Sequence, residues 1–171
     1  MNPAQLINQD SGKTEYYTPQ EIIQAARRTM EGIDLDPFSS WEANLRVGAA
    51  TFFDILDDSL NQNWSGRVWM NHPFSRELNT RAVQKLVSEY AAGRTTAACC
   101  ITFASTSEAW FRPLLRQPQC FLSPRTNYVL PGGGTLRGVT KGSVVTYFGP
   151  DVASFAREFS HLGEIKIRFS P

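Results

Sequence analysis

The sequence predicts an α/β fold, a sandwich around a mostly parallel sheet with a β-rich C-terminal end. Three observations predict it. Strand-like segments alternate with amphipathic helical patterns through the first part of the chain, the order expected of parallel strands joined by helices. Ala97–Phe103 is a continuous apolar run bounded by Thr and Ser, as in a strand buried on both faces. After it the chain turns strand-rich.

Each element has its own signal. Thr18-Pro19-Gln20-Glu21 offers an N-cap, a proline at the first helical position and a capping-box acid. Ile22, Ala26 and Met30 then recur on one face, and Gly32 ends the helix. Ile33-Asp34-Leu35-Asp36 reads as a short strand stopped by Pro37. Arg67–Met70 reads as a second, between Gly66 and the turn-like Asn71-His72-Pro73-Phe74. Leu78, Ala82, Leu86 and Tyr90 predict a long amphipathic helix that stops at Gly93. Ser107–Leu115 reads as a helix that Pro113 shortens or kinks. The strand-like runs at the end are Cys120–Leu122, Asn127–Leu130, Ser143–Phe148 and Ile165–Phe169, with a helix over Val152–Phe159. Pro131-Gly132-Gly133-Gly134 reads as a hairpin tip.

Composition bounds the possibilities. With 171 residues, 42% apolar and 12% aromatic, the chain can build one core, expected over residues 14–171 after a polar tail at 1–13. No apolar run approaches the roughly 18–20 residues of a membrane span. Met1–Lys13 lacks an apolar signal segment, so a cytoplasmic protein is expected. Three cysteines, two of them adjacent at Cys99-Cys100, argue against a disulfide framework. His72 and His161 stand far from any cysteine pair, so no metal site is expected. A nucleophilic role for Cys99 or Cys100 fits poorly, because these thiols interrupt an apolar strand. Gly132-Gly133-Gly134 lacks the following Lys-Ser/Thr of a phosphate loop.

Net charge is only +1, but it is unevenly spread. From Glu31 to Asp58 seven acids stand against Arg46 alone, whereas Ala109–Pro150 holds five bases and no acid. A polyanion would avoid the first stretch and favour the second.

In an open α/β sheet the ligand lies beyond the carboxyl ends of the strands. Two such ends stand out here, Asp36-Pro37 and Asn71-His72-Pro73-Phe74. The second joins a polar amide, a rigid proline and an aromatic ring, a poor core but a good slot for a flat base. The chain resembles the phage-type DNA adenine-N6 methyltransferases (Dam family), S-adenosylmethionine (SAM)-dependent enzymes with an Asp/Asn-Pro-Pro-Tyr/Phe motif. Glu15-Tyr16-Tyr17-Thr18-Pro19 resembles that group's N-terminal motif, and Gly32-Ile33-Asp34-Leu35-Asp36-Pro37 its strand-one motif. Asp57-Asp58-Ser59-Leu60 with Trp64-Ser65-Gly66-Arg67-Val68 continues the likeness. Trp110-Phe111, Cys120-Phe121-Leu122 and Tyr147-Phe148-Gly149-Pro150 follow in order.

The resemblance implies a compact Rossmann-like methyltransferase fold, SAM as cofactor, double-stranded DNA as partner and a phage or prophage origin in a bacterial host. It implies that Tyr17, Thr18 and Pro19 contact the methionine end of SAM, that Asp36-Pro37 faces its ammonium, and that Asp58 accepts from its adenine. Asn71, His72, Pro73 and Phe74 become the catalytic group. The Asn71 side chain and the His72 carbonyl would accept the N6 hydrogens, and Phe74 would stack on a flipped adenine. Ser75, Arg76, Arg125, Arg137 and Lys141 are the candidate DNA contacts. With no further recognition element, short or relaxed sequence specificity is expected. The sequence departs from the pattern at His72, where the family usually has proline, and at Phe38-Ser39-Ser40-Trp41, which replaces the usual glycines. Alternative readings stay open: an RNA-adenine or protein-glutamine methyltransferase, and a silent relative that binds DNA or SAM.

Overall fold

A computed structural model describes residues 16–137 and 139–171. The tail expected at 1–13, and Glu15 of the first motif, lie outside the described residues. Helix α1 (Gln20–Met30) buries Ile22, Ile23, Ala25, Ala26 and Met30. Its N-cap is Pro19 and no side chain caps it; Thr18 is buried instead. The expected capping box therefore does not form, because the threonine is drawn into the fold. Strand β1 is only Leu35–Asp36, shorter than the sequence suggests.

Two elements follow that periodicity does not announce. Helix α2 (Trp41–Val47) is capped by Ser40, whose Oγ accepts from the Ala43 N–H, and ends at Gly48 with φ 64°. Strand β2 is Thr51–Phe52. Strand β3 (Gly66–Met70), helix α3 (Arg76–Ala91) and strand β4 (Thr95–Phe103) match the predicted elements closely. The helix expected at Ser107–Leu115 is instead two 3-10 turns, Ala109–Phe111 and Leu114–Arg116. Pro113, between them, has no N–H with which to continue a ladder.

Strand β5 (Gln119–Leu122) leads into a separate hairpin, β6 (Tyr128–Val129) and β7 (Thr135–Leu136), with the glycines at its tip. Strand β8 (Ser143–Phe148) and helix α4 (Val152–Phe159) fall where expected. The last strand, β9, is Gly163–Lys166 and not Ile165–Phe169. Its register against β5 pairs Gly163 with Leu122 and Lys166 with Gln119, which leaves Phe169 beyond the sheet and exposed.

The main sheet has seven strands in the order β2-β1-β3-β4-β8-β5-β9. β2, β1, β3 and β4 are parallel, while β8 runs against both β4 and β5, and β9 against β5. The parallel part and the β-rich end thus share one sheet. On one face α1, α2 and α4 pack over Trp69, Cys99, Ile101 and Tyr147; on the other α3 and the 3-10 turns cover Val68, Met70, Cys100 and Phe148. The alternation along β3 and β4 is the two-residue period of a strand buried on both sides. All three cysteines are buried, and burial pushes the Cys100 thiol up to about 12. That is a packing role and a poor nucleophile.

Two polar clusters lock the sheet. The Asp34 carboxylate accepts from the Arg67 backbone N–H at 2.7 Å and from its guanidinium at 2.8 Å, joining the segment before β1 to β3. Gly66, at φ 81°, lies against this pair, and a Cβ there would sit 2.6 Å from Asp34 Oδ2. Glu89 of α3, only 2% exposed, accepts from Arg94 at 2.5 Å, Lys85 at 2.6 Å and the Trp64 N–H at 3.2 Å. The Arg94 bond leads in drawing its carboxyl down to about 2. Among the described residues no helix is long and apolar enough to cross a membrane.

Candidate active site

The chain leaves β1 toward β2 and then returns to β3 on β1's other side. The strand order therefore reverses between β1 and β3, and a ligand crevice opens beyond the carboxyl ends flanking such a point. Those ends carry Asp36-Pro37 and Asn71-His72-Pro73-Phe74. Leu35 pairs with Val68, so the two loops leave the sheet side by side.

On the β1 side Asp36 is 2% exposed, and its Oδ1 accepts from the Phe38 N–H at 3.3 Å. Pro37 is buried as well. Tyr17 bridges to Val129 of the β6–β7 hairpin, which holds the first motif over the same end of the sheet. The Thr18 hydroxyl is buried and has no partner among the described residues, and Pro19 is half-buried. A cleft of about 210 Å³ lies between Tyr17, α2 and the hairpin. Asp58 stands on the loop leaving β2, exposed, at φ 48°, accepting from the Asn61 amide at 2.6 Å. Trp64 anchors that loop by donating its indole N–H to the Ser59 carbonyl at 3.0 Å. The tryptophan of the Trp-Ser-Gly-Arg-Val run is thus structural.

On the β3 side the Asn71 Nδ2 donates to the Tyr16 carbonyl at 2.9 Å. A carbonyl can only accept, so the amide group is turned to Tyr16 and Oδ1 is directed elsewhere. His72 is 1% exposed, its Nε2 lies 2.7 Å from Asn79 Oδ1, and burial pushes its imidazole down to about 4. It is neutral at ordinary pH. Pro73 is exposed, and its carbonyl accepts from the Ser75 N–H at 2.8 Å. Phe74 is half-buried against Phe103 at 4.6 Å and Tyr128 at 5.8 Å, between ring centroids. Phe103 and Tyr128 were not among the expected site residues. The position of Phe103 at the last residue of a buried strand was the available signal.

The expected DNA contacts divide. The Ser75 hydroxyl caps α3 by accepting from the Leu78 N–H, and Arg76 is exposed beside it. Arg125 donates to the Val139 and Thr140 carbonyls, so its guanidinium braces the loop before β8. Arg137 is exposed. The Lys141 ammonium lies 5.8 Å from the centroid of Phe103, which brings it to the aromatic wall behind Phe74. No group of three or more His, Cys, Asp or Glu residues able to hold a metal occurs among the described residues.

These features fall in spatial order across the sheet: acids beyond β2 and β1, Asn71 beyond β3, Phe103 at the end of β4, Lys141 before β8. A family model described as DNA N-6-adenine-methyltransferase (Dam) matches residues 7–149. The chain belongs to that family. No curated protein matches it significantly. The family match spans both strand-end loops and the basic hairpin, and stops just before α4.

Proposed function

We propose that this protein transfers a methyl group from SAM to N6 of adenine in DNA, with Asn71 orienting the reacting nitrogen. The observation that carries the reading is the anchored Asn71 amide, which leaves Oδ1 as an acceptor on the loop that also carries Phe74, one strand away from Asp36. The residues present suit the cofactor. A buried carboxylate complements an ammonium, and the buried Thr18 hydroxyl, unpartnered among the described residues, can bond a carboxylate. Bound SAM supplies an electrophilic methyl on a sulfonium sulfur.

The chain's own residues do the rest by positioning. Asn71 Oδ1 and the His72 carbonyl accept the two N6 hydrogens, which concentrates the nitrogen lone pair on the face toward the methyl group. One N6 proton is lost to solvent after transfer, so no buried general base is needed. Phe74 stacks on the extruded adenine. Charge supports the reading: the acid-rich stretch suits a cationic cofactor, and the exposed Arg137 and Lys141 suit phosphates. Phosphate contacts do not select sequence, so recognition is short or relaxed.

Tritiated SAM incubated with plasmid, with tRNA and without nucleic acid tests this reading. Label in plasmid that blocks adenine-methylation-sensitive nucleases supports it. Label confined to tRNA or to protein would replace it with one of the alternative substrates.

A further inference from the structure

We propose that His72 and Asn79 form a positioning pair that holds the Asn71–Phe74 loop in its working shape, doing by hydrogen bond what a proline would do by its ring. The inference rests on the adenine-methylation reading of this loop. A proline fixes its own φ and needs no partner. A histidine at the same place carries no such constraint, so something else must hold residue 72.

The structure supplies it. Asn79 sits early in α3, a helix whose start is pinned by the Ser75 cap. Its amide carbonyl lies 2.7 Å from His72 Nε2. Because that oxygen only accepts, Nε2 carries the hydrogen and Nδ1 is bare. Nδ1 is buried and has no partner among the described residues, so the imidazole makes a single directional contact, to α3. The ring is wedged edge-on between Phe38 at 6.1 Å and Phe74 at 5.8 Å, which restrains it sideways. Phe38 belongs to the loop in which its N–H meets Asp36, so the wedge also links the cofactor side to the base slot. His72 is therefore a positioning residue: its side chain acts through its own backbone carbonyl and through Phe74.

The test compares kcat, the KM for DNA and the affinity for S-adenosylhomocysteine in wild type, Asn79→Ala, Asn79→Asp, His72→Pro and the His72→Pro/Asn79→Ala double variant. Asn79→Ala should lose about tenfold or more in kcat while KM and product affinity stay within about threefold. Asn79→Asp retains an acceptor and should keep kcat within about threefold of wild type. In the His72→Pro background, whatever its own kcat, adding Asn79→Ala should change kcat by less than about threefold. Wild-type kcat in Asn79→Ala overturns the pair, as does an equal loss in the His72→Pro background. An inactive wild type overturns the methylation reading itself, and the pair's role with it. Nitrogen NMR of the wild-type imidazole adds a readout that needs no activity and no variant. A neutral Nε2–H tautomer supports the pair, and an Nδ1–H tautomer overturns it.

Discussion

Asn71→Asp sets two effects against each other. A carboxylate would polarise an N6 hydrogen more strongly than an amide does, and on charge alone the variant should be faster. The anchor argues the opposite. Wild-type Nδ2 donates to the Tyr16 carbonyl at 2.9 Å, and aspartate places an oxygen there with nothing to donate. The lost hydrogen bond is worth about 0.5–1.5 kcal/mol, and a half-buried carbonyl left facing another acceptor adds to that, for about 2 kcal/mol in all. The carboxylate escapes by rotating, which takes the acceptor off the N6 position. At about 1.4 kcal/mol per decade, kcat should fall about 30-fold. Single-turnover transfer of tritium to plasmid DNA measures it, with S-adenosylhomocysteine calorimetry as the control for an intact cofactor side. Turnover at or above the wild-type rate would refute the anchoring argument.

Further outcomes follow from the same geometry. Asn71→Ala should abolish turnover with product affinity retained, and Phe74→Ala should weaken target binding by about 1–3 kcal/mol, read by titration of a duplex with a mismatched adenine. Asp36→Ala should lose most affinity for S-adenosylhomocysteine by calorimetry; unchanged binding would remove Asp36 from the cofactor site. Stability should fall in two separate acid steps. The His72 imidazole is at about 4 when folded against an ordinary 6.5, so the unfolded chain binds the extra proton and stability drops as pH falls from 6.5 toward 4. That shift amounts to about 2 kcal/mol between pH 7 and pH 5, and His72→Pro should flatten it in urea titrations. The Glu89 carboxyl is depressed to about 2, so its contribution is present above about 4.5 and is lost only below that. Arg137→Ala with Lys141→Ala should reduce the salt slope of DNA binding by about 1.8, at about 0.9 per phosphate contact, whereas Arg125→Ala should act through loop stability.

Much of this protein was legible in its sequence wherever the signal is local. Ser143–Phe148 and Val152–Phe159 form where the sequence places them. Asp36 and Asn71 were recognisable as strand ends because a turn residue or proline follows each strand immediately. Helix α2 escaped because only Ala43 and Val47 are buried in it while Trp41 and Leu45 face out, which leaves no apolar stripe; the Ser40 and Gly48 caps were the readable trace.

What the tertiary structure decided are the contacts between residues far apart in the chain. Asn71 meets Tyr16 across 55 residues, and Phe74 meets Phe103 and Tyr128 only because β3, β4 and the hairpin end at one edge of the sheet. Burial of Thr18 in place of capping, the bracing role of Arg125 and the neutral, wedged His72 belong to the same class. Capping, turn chemistry and hydrophobic period are settled within a few residues of backbone, so a sequence carries them openly. Which way an amide points, and which rings close around it, depends on strand order and register, and those exist only once the whole sheet has formed.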